Sequence, residues 1–218
     1  MHLHDRFATF LSASEIIEAT PALLNDQRRR FTSSPDIVLQ PNSVESVQKI
    51  MGFCFENRIR VTPQGGNTGL CGATVTTEGV LLNLSKLNRI RDINLADNSM
   101  TVEAGVILQN AQKAAAEAGR LFPLSLASEG SCQIGGNIAC NAGGLNVLRY
   151  GSMRDLVLGL EVVLPNGELV SHLQPLHKNT TGYDLRHLFI GSEGTLGIIT
   201  AATLKLFAQP KTKATAWV

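Results

Sequence analysis

The chain has no surplus of either charge. Across 218 residues, Lys and Arg total 19 against 18 Asp and Glu, a net charge of +1. A protein that neutralises a phosphate backbone carries a basic excess, so nucleic acid is excluded as a main partner. The one basic run, Arg28-Arg29-Arg30, has the length of a solvated face. No apolar stretch approaches the ~18 residues of a membrane-spanning helix. Residues 1–10 interleave His2, His4, Asp5 and Arg6 with apolar positions, which leaves no secretory h-region. The four cysteines, Cys54, Cys71, Cys132 and Cys140, follow neither CxxC nor zinc spacing. They read as thiols of a reducing compartment, and a cytoplasmic location is expected.

Catalytic groups are equally scarce. His172, His177 and His187 lack metal-ligand spacing, and Asp184 and His187 stand too alone to read as a dyad. Cys132 and Cys140 have no neighbouring base, so neither reads as a nucleophile, and no Gly-x-Ser-x-Gly elbow occurs. No catalytic residue and no metal ligand is therefore assigned. A binding apparatus without an evident general base fits a bound cofactor that carries the hard chemistry.

Hydrophobic residues (44%) and charged residues (17%) are in proportions that support a packed core. The length suits one large domain or two subdomains sharing a ligand. The informative excess is glycine: of 20, thirteen fall in residues 65–72, 130–151 and 191–197. Glycine serves where backbone takes positive φ or approaches a ligand closely, so three such clusters predict a large ligand held mostly by main chain.

Residues 1–35 read as an extension, with a short helix over Ser14–Leu24 that Pro21 weakens. Ile37-Val38-Leu39 reads as a buried strand. Ser43 caps a helix whose apolar face is Val44, Val47, Ile50, Met51, Cys54 and Phe55. Strands at Arg60–Thr62 and Val80–Leu84 complete a parallel βαβ subdomain over 36–89. Residues 90–207 read as antiparallel. Ile90–Asn94 and Met100–Glu103 flank an Asp97-Asn98 turn, and Ile107–Ala118 is an Ala-rich helix closed by Gly119. Strands follow at Leu156–Leu164, Glu168–Leu173 and Leu196–Phe207, with a short helix at Leu185–Ile190. The pattern over Lys211–Val218 reads as a strand starting again, so 208–218 is taken as the start of a truncated C-terminal region.

Three segments carry chemistry. Pro63-Gln-Gly-Gly-Asn-Thr-Gly-Leu70 directly follows a strand. Consecutive N–H groups in such a turn form an anion-binding concavity, to which Asn67 and Thr68 can add side-chain donors. It is neither a Walker A loop nor GxGxxG; a diphosphate held without lysine and an ordinary tight turn both remain open. Ser131–Gly144 is made of small residues and amides, which can lie flat against a planar ring. Gly191–Ile199 leads into a strand, where Glu193 either accepts a hydrogen bond from a ribose hydroxyl or adenine amine or caps the turn.

Together these segments resemble the flavin-binding domain of the vanillyl-alcohol oxidase / para-cresol methylhydroxylase superfamily. The resemblance is closest to its D-2-hydroxyglutarate dehydrogenase and D-lactate dehydrogenase branch. It rests on Pro63–Leu70, Phe122-Pro-Leu124, Gly130–Asn137, Asn141–Gly144, Arg149-Tyr-Gly151, Val157–Leu164, Asn179–Leu185 and Leu188–Ile198. It implies an α+β, two-subdomain FAD-binding fold: a small parallel βαβ subdomain plus a larger antiparallel sheet with helices. The diphosphate would lie on Pro63, Gly65, Gly66, Asn67, Thr68, Gly69 and Leu70. Pro123, Leu124, Gly130, Ser131, Ile134, Gly135, Gly136 and Asn137 would line the flavin and the rest of the diphosphate. Asn141, Ala142 and Gly143 would continue that wall, and Glu193, Gly194 and Ile198 would close over the cofactor. Members that attach flavin covalently often use a histidine in the first loop, and this loop has none, so FAD is expected to be non-covalent. Ser128-Glu129 stands where relatives often carry Ala-Lys, and an acid there is unfavourable near a diphosphate unless it points away. Cys140 replaces a common Thr.

The activity the resemblance implies is oxidation of a D-2-hydroxy acid such as D-lactate, glycolate or D-2-hydroxyglutarate to the 2-oxo acid by hydride transfer to FAD. Electrons would pass on to a quinone, a cytochrome or an electron-transfer flavoprotein. In the family the substrate and metal groups lie in a C-terminal domain beyond these residues, so this chain alone is expected to be inactive. The alternatives are a stand-alone FAD-binding protein without its own catalysis, and a flavin reductase of the UDP-N-acetylenolpyruvoylglucosamine reductase type.

Overall fold

A computed structural model describes residues 2–212 together with 214 and 216. Of the strand expected to resume over Lys211–Val218, residues 213, 215, 217 and 218 lie outside the described residues, and Lys211, Thr212, Ala214 and Ala216 are not in a strand.

The N-terminal 35 residues are built into the small subdomain. Helix α1 (Leu3–Phe7) puts Phe7 and, just beyond it, Leu11 into the core. The helix expected over Ser14–Leu24 is broken up. A 3-10 turn at Ala13–Glu15 leads to strand β1 (Ile16–Ile17), and α2 spans only Pro21–Leu24. Two effects break it: β-branched Ile16 and Ile17 pair with the next strand, and Pro21 is tolerated at the first helical position rather than inside. Strand β2 (Ile37–Leu39) is followed by α3 (Val44–Glu56), capped by the Ser43 hydroxyl accepting from Ser46 N–H. Its buried face is Val47, Ile50, Met51 and Cys54; Phe55 instead stays 61% exposed. Phe53 takes the aromatic role, edge-on to Phe7 with ring centroids 5.0 Å apart. Strands β3 (Val61–Gln64) and β4 (Val80–Asn83) pair in parallel, and the sheet order is β1-β2-β4-β3 with β1 antiparallel at one edge. Each fully buried Leu or Ile here contributes about 1.5–3 kcal/mol.

The larger subdomain is a five-stranded antiparallel sheet. Strands β5 (Ile90–Asn94) and β6 (Ser99–Glu103) form a hairpin whose turn places Asn98 at φ 53°. Helix α4 (Leu108–Glu117) ends before Gly119, which has φ 69° as an αL closing residue requires. After β7 (Arg120–Leu121) come three short helices: α5 (Ile134–Ala139), α6 (Val147–Tyr150) and α7 (Met153–Leu156). Strand β8 (Val157–Val163), β9 (Leu169–His172), α8 (Arg186–Phe189), β10 (Ile198–Lys205) and β11 (Phe207–Ala208) complete the chain. The order β5-β6-β10-β8-β9 puts β10 at the centre. Met100, Val102, Leu160, Val162 and Leu204 share a core with Leu108, Ala111, Ile134, Ile138, Met153 and Leu156 from the helices.

A polar layer runs through the same strands. The carboxylate of Glu103, 1% exposed, accepts from Arg89 and Arg91, and Arg91 also reaches Glu161, which accepts from the Thr200 hydroxyl. Burial works to raise the Glu103 carboxyl, but hydrogen bonds from Arg89 and the charges of Arg89 and Arg91 outweigh it and hold it below the usual carboxylate range. The two subdomains share packing, since Val163 and Ile198 of the large sheet lie in the small subdomain's core.

Candidate cofactor site

The first glycine segment leaves β3 at Gln64, whose buried side chain ties it in place. The Gln64 amide donates to Leu23 O and its oxygen accepts from Asn83. Beyond it, no acceptor among the described residues takes the backbone N–H of Gly65, Gly66, Asn67, Thr68 or Gly69. Such a run of unpaired N–H groups is what an anion requires. Asn67 sits at φ 52°, and both of its side-chain N–H groups are spent on Ala22 O and Asn25 O, while its oxygen accepts from Thr74. Asn67 thus anchors the loop to α2, contrary to the expectation that its side chain would serve a ligand; its main-chain N–H remains free.

The second segment packs against the first, backbone to backbone. A Cβ on Gly66 would overlap the Ser131 carbonyl oxygen, and a Cβ on Gly65 would lie 3.2 Å from Gln133 Oε1. Where the sequence suggested a flat stretch, Ile134–Ala139 is helical, and Gly135 allows α5 to touch Ala104, whose Cβ the added atom would otherwise meet at 2.6 Å. Gly136 is different: it is exposed, and a Cβ there would have nothing within 4 Å.

The third segment crosses back. Gly191 N–H and Glu193 N–H donate to Ile138 O and Ala139 O, at 3.1 and 3.0 Å. Gly194, at φ 79°, rests on the Pro63 ring. Glu193 holds φ 52°, an unusual backbone for glutamate.

The three segments meet in one open cleft. From the first come Pro63, Gln64, Gly65, Ala73 and Thr74; from the second, Gly135, Gly136, Ala139 and Cys140; from the third, Glu193, Gly194, Gly197, Ile198 and Ile199; Leu84 and Ala104 fill the floor. Seven expected positions therefore line it: Pro63, Gly65, Gly135, Gly136, Glu193, Gly194 and Ile198. Gly66 and Ser131 meet outside the lining, where the first two segments abut, and Gly130 is exposed in the turn just before Ser131. Thr68, Gly69 and Leu70 continue the loop beyond the lining, and Leu70 is 47% exposed. Leu124 and Ile134 point into the hydrophobic core, and Pro123 borders a separate depression beside Gln112 and Arg120. Asn141, at φ 48°, and Ala142 brace the second segment: Asn141 Oδ1 accepts from Arg154 N–H and Ala142 O from Met153 N–H. Gly143 packs on Val147.

Ala73, Thr74, Ala104 and Cys140 were not foreseen. Ala104 carries no local signal, because only the close approach of α5 brings it in. Burial pushes the Cys140 thiol up, and the charges of Glu193 and Cys71 push it further. Glu129, where an acid looked unfavourable, directs its carboxylate to the Gln112 amide at 3.2 Å. Asp184 and His187, dismissed as isolated, do meet: Nε2 lies 3.3 Å from the Asp184 carboxylate.

An FAD molecule fits these residues on three counts. The first segment offers unpaired N–H groups, and the cleft is lined by glycine and alanine where side chains would fill it. Among the described residues, the buried side-chain polar atoms without a partner are Gln133 Oε1 and Asn137 Nδ2, both in the second segment. A buried polar atom left unpaired costs about 1–3 kcal/mol, which a hydrogen-bonding ligand removes.

Comparison with known proteins agrees. A family described as "FAD binding domain" matches residues 35–172. D-2-hydroxyglutarate–pyruvate transhydrogenase from Saccharomyces cerevisiae is 42% identical over 94% of this chain and 42% of its own length. A mitochondrial D-2-hydroxyglutarate dehydrogenase from Danio rerio is 44% identical over 85% of this chain and 35% of its own. The chain thus spans about two-fifths of the length of these relatives. Among solved structures, an alkyldihydroxyacetonephosphate synthase superposes with a TM-score of 0.82 at 20% identity, covering 96% of this chain and 39% of that one; it shares the fold. The expected pairing of a small parallel subdomain with a larger antiparallel one stands. The expected cytoplasmic location does not: relatives as similar as the Danio rerio protein are named mitochondrial, and four reduced cysteines do not tell one reducing compartment from another. By its sequence match and its fold, the chain belongs to the FAD-binding-domain family that the three glycine segments pointed to.

Proposed function

We propose that the chain is the FAD-holding part of a flavin-dependent dehydrogenase that oxidises a D-2-hydroxy acid to the 2-oxo acid. The observation that carries the reading is the convergence of all three glycine segments on one cleft with unpaired amide N–H groups. The relatives named for D-2-hydroxyglutarate favour that acid over D-lactate or glycolate. FAD, when bound, supplies the hydride acceptor.

The chain's own residues bind and orient. Unpaired main-chain N–H groups run from Gly65, in the lining, along the loop to Gly69, and a diphosphate laid along that loop would meet dipoles already fixed in place. Gly135 and Gly136 leave the helix surface bare, so a planar group can lie against backbone. Gln133 and Asn137 offer one acceptor and one donor. Attachment is non-covalent: the lining holds no histidine, and the raised Cys140 thiol is a weak nucleophile.

The lining's one charged side chain is Glu193, so nothing in it pairs with a substrate carboxylate. The substrate grip belongs to polypeptide such as the relatives carry over their remaining length. FAD added to the purified chain should give one bound flavin per chain, read by absorbance after gel filtration. Neither D-lactate nor D-2-hydroxyglutarate should reduce a dye through this chain alone. Well-folded protein that leaves FAD free would refute the reading. Electrons leaving the flavin would go to a quinone, a cytochrome, an electron-transfer flavoprotein or a second 2-oxo acid.

A further inference from the structure

The Gly191–Glu193 loop closes the cleft from the large-subdomain side, and its backbone needs fastening. Glu193 holds a left-handed conformation that is unfavourable for any residue with a Cβ. One guanidinium does much of that fastening from a different element. Arg154, on α7, donates through Nη2 to Ile190 O at 2.5 Å and through Nη1 to His187 O at 3.0 Å. Its backbone N–H is bonded to Asn141 Oδ1, at 3.0 Å, so the same residue also grips the end of the second glycine segment. Nη1 meets His187 Nδ1 at 3.1 Å as well. An arginine nitrogen only donates, so Nδ1 must be the acceptor and the ring proton lies on Nε2, facing Asp184. Asp184 is held in turn by Arg186, whose Nη1 donates to Val157 O and Leu158 O at 2.8 and 2.7 Å.

We propose that Arg154 is a positioning residue for the cofactor cleft: it latches the Gly191–Glu193 loop to the end of α5, with His187 as the acceptor that orients the latch. The inference rests on the reading that the cleft takes FAD. Arg154 does not line the cleft itself; it acts through the carbonyls that lead into the loop. A loop held shut retains a ligand, so loss of the latch speeds cofactor escape while leaving entry almost unchanged. A merely structural role does the opposite, lowering the fraction of competent protein and thus the apparent association rate or the stoichiometry.

The test is stopped-flow and dilution kinetics of FAD with wild type, Arg154→Met, Arg154→Lys, His187→Ala and His187→Asn. Wild type must first bind FAD; if it does not, it is the functional reading that fails. Given binding, Arg154→Met should dissociate FAD about tenfold to a hundredfold faster, from the loss of charge-assisted hydrogen bonds, with association within about twofold of wild type. Arg154→Lys should be intermediate, since one ammonium cannot reach two carbonyls and an imidazole in a fixed fork. His187→Ala should dissociate roughly threefold to tenfold faster. His187→Asn, which keeps an acceptor near the Nδ1 position, should restore the wild-type rate to within about twofold. Unchanged dissociation in Arg154→Met overturns the proposal, as does a loss confined to association or stoichiometry. If Arg154→Met does not fold, Arg154→Lys and His187→Ala decide: wild-type dissociation in both overturns it, and faster dissociation in either supports it.

Discussion

Substituting Gly136 separates the cofactor's needs from the fold's. The residue lies inside α5 with a helical backbone, is exposed on the cleft, and a Cβ there would meet nothing within 4 Å. In Gly136→Leu the apo protein should therefore lose nothing by collision. It should gain, because a glycine inside a helix is about 0.8–1 kcal/mol less favourable than a good helix former. The four added carbons enter the cleft where the proposed cofactor lies, between the backbone and side chains of the three segments. Forcing extra methylenes into an occupied site costs about 1–3 kcal/mol, or roughly fivefold to 150-fold in affinity at 1.4 kcal/mol per decade. Two measurements suffice: thermal melting of apo protein and equilibrium titration of FAD by flavin fluorescence. The expected result is an apo Tm at or above wild type together with weakened binding. Wild-type affinity in a folded Gly136→Leu protein would refute the placement of the cofactor on this face of α5.

Three other perturbations follow from the same geometry. Gly66→Ala should destabilise the apo protein by about 1–3 kcal/mol in urea unfolding, because the new Cβ collides with the Ser131 carbonyl, which is backbone and cannot swing aside; a neutral result would show the two segments can part at no cost. Asn67→Ala removes two donated and one accepted hydrogen bond and leaves alanine at φ 52°; a loss of about 2–4 kcal/mol is expected in the same assay. The folded pKa of Glu103 is depressed, so the stability it contributes is present above the unfolded carboxylate pKa and is lost as pH falls through the folded one. Unfolding free energy should thus decline below about pH 4. Glu103→Gln should flatten that decline and lower stability near pH 7 by about 3 kcal/mol, since Arg91 keeps a largely buried charge with one partner fewer.

How far the sequence foretold the structure depends on whether a feature is local. The parallel βαβ unit was readable because Val47, Ile50, Met51 and Cys54 recur at helical spacing between two short apolar runs. The hairpin at Asn98 and the helix stop at Gly119 were readable because each needs a positive φ that few residues accept. By contrast, β1 is two residues long and shows no period; it exists because β2 offers it an edge. The helicity of α5 ran against the propensity of two adjacent glycines, and the gain that overrides it, contact with Ala104, is about thirty residues away in the chain. The meeting of Arg154 with His187 was hidden for the same reason.

The glycines divide by what lies opposite them, and that division tells where sequence motifs mislead. Gly66, Gly135, Gly194 and Gly197 each face protein atoms at distances that exclude a Cβ. Gly66 and Gly194 are glycine so that the segments can touch one another, at Ser131 and Pro63, and Gly135 and Gly197 so that they can lie against Ala104 and against Val162 and Val163 of β8. Gly69 and Gly136 face open space, so packing does not explain them, and of the two Gly136 lines the cleft. A motif read as a single phosphate cradle is therefore two things at once: a joint between subdomains, and a bare surface left by that joint. The joint makes the surface rigid before the cofactor arrives, so binding need not meet the cost of ordering the loops. A cradle of neutral amides can then hold a diphosphate without a lysine.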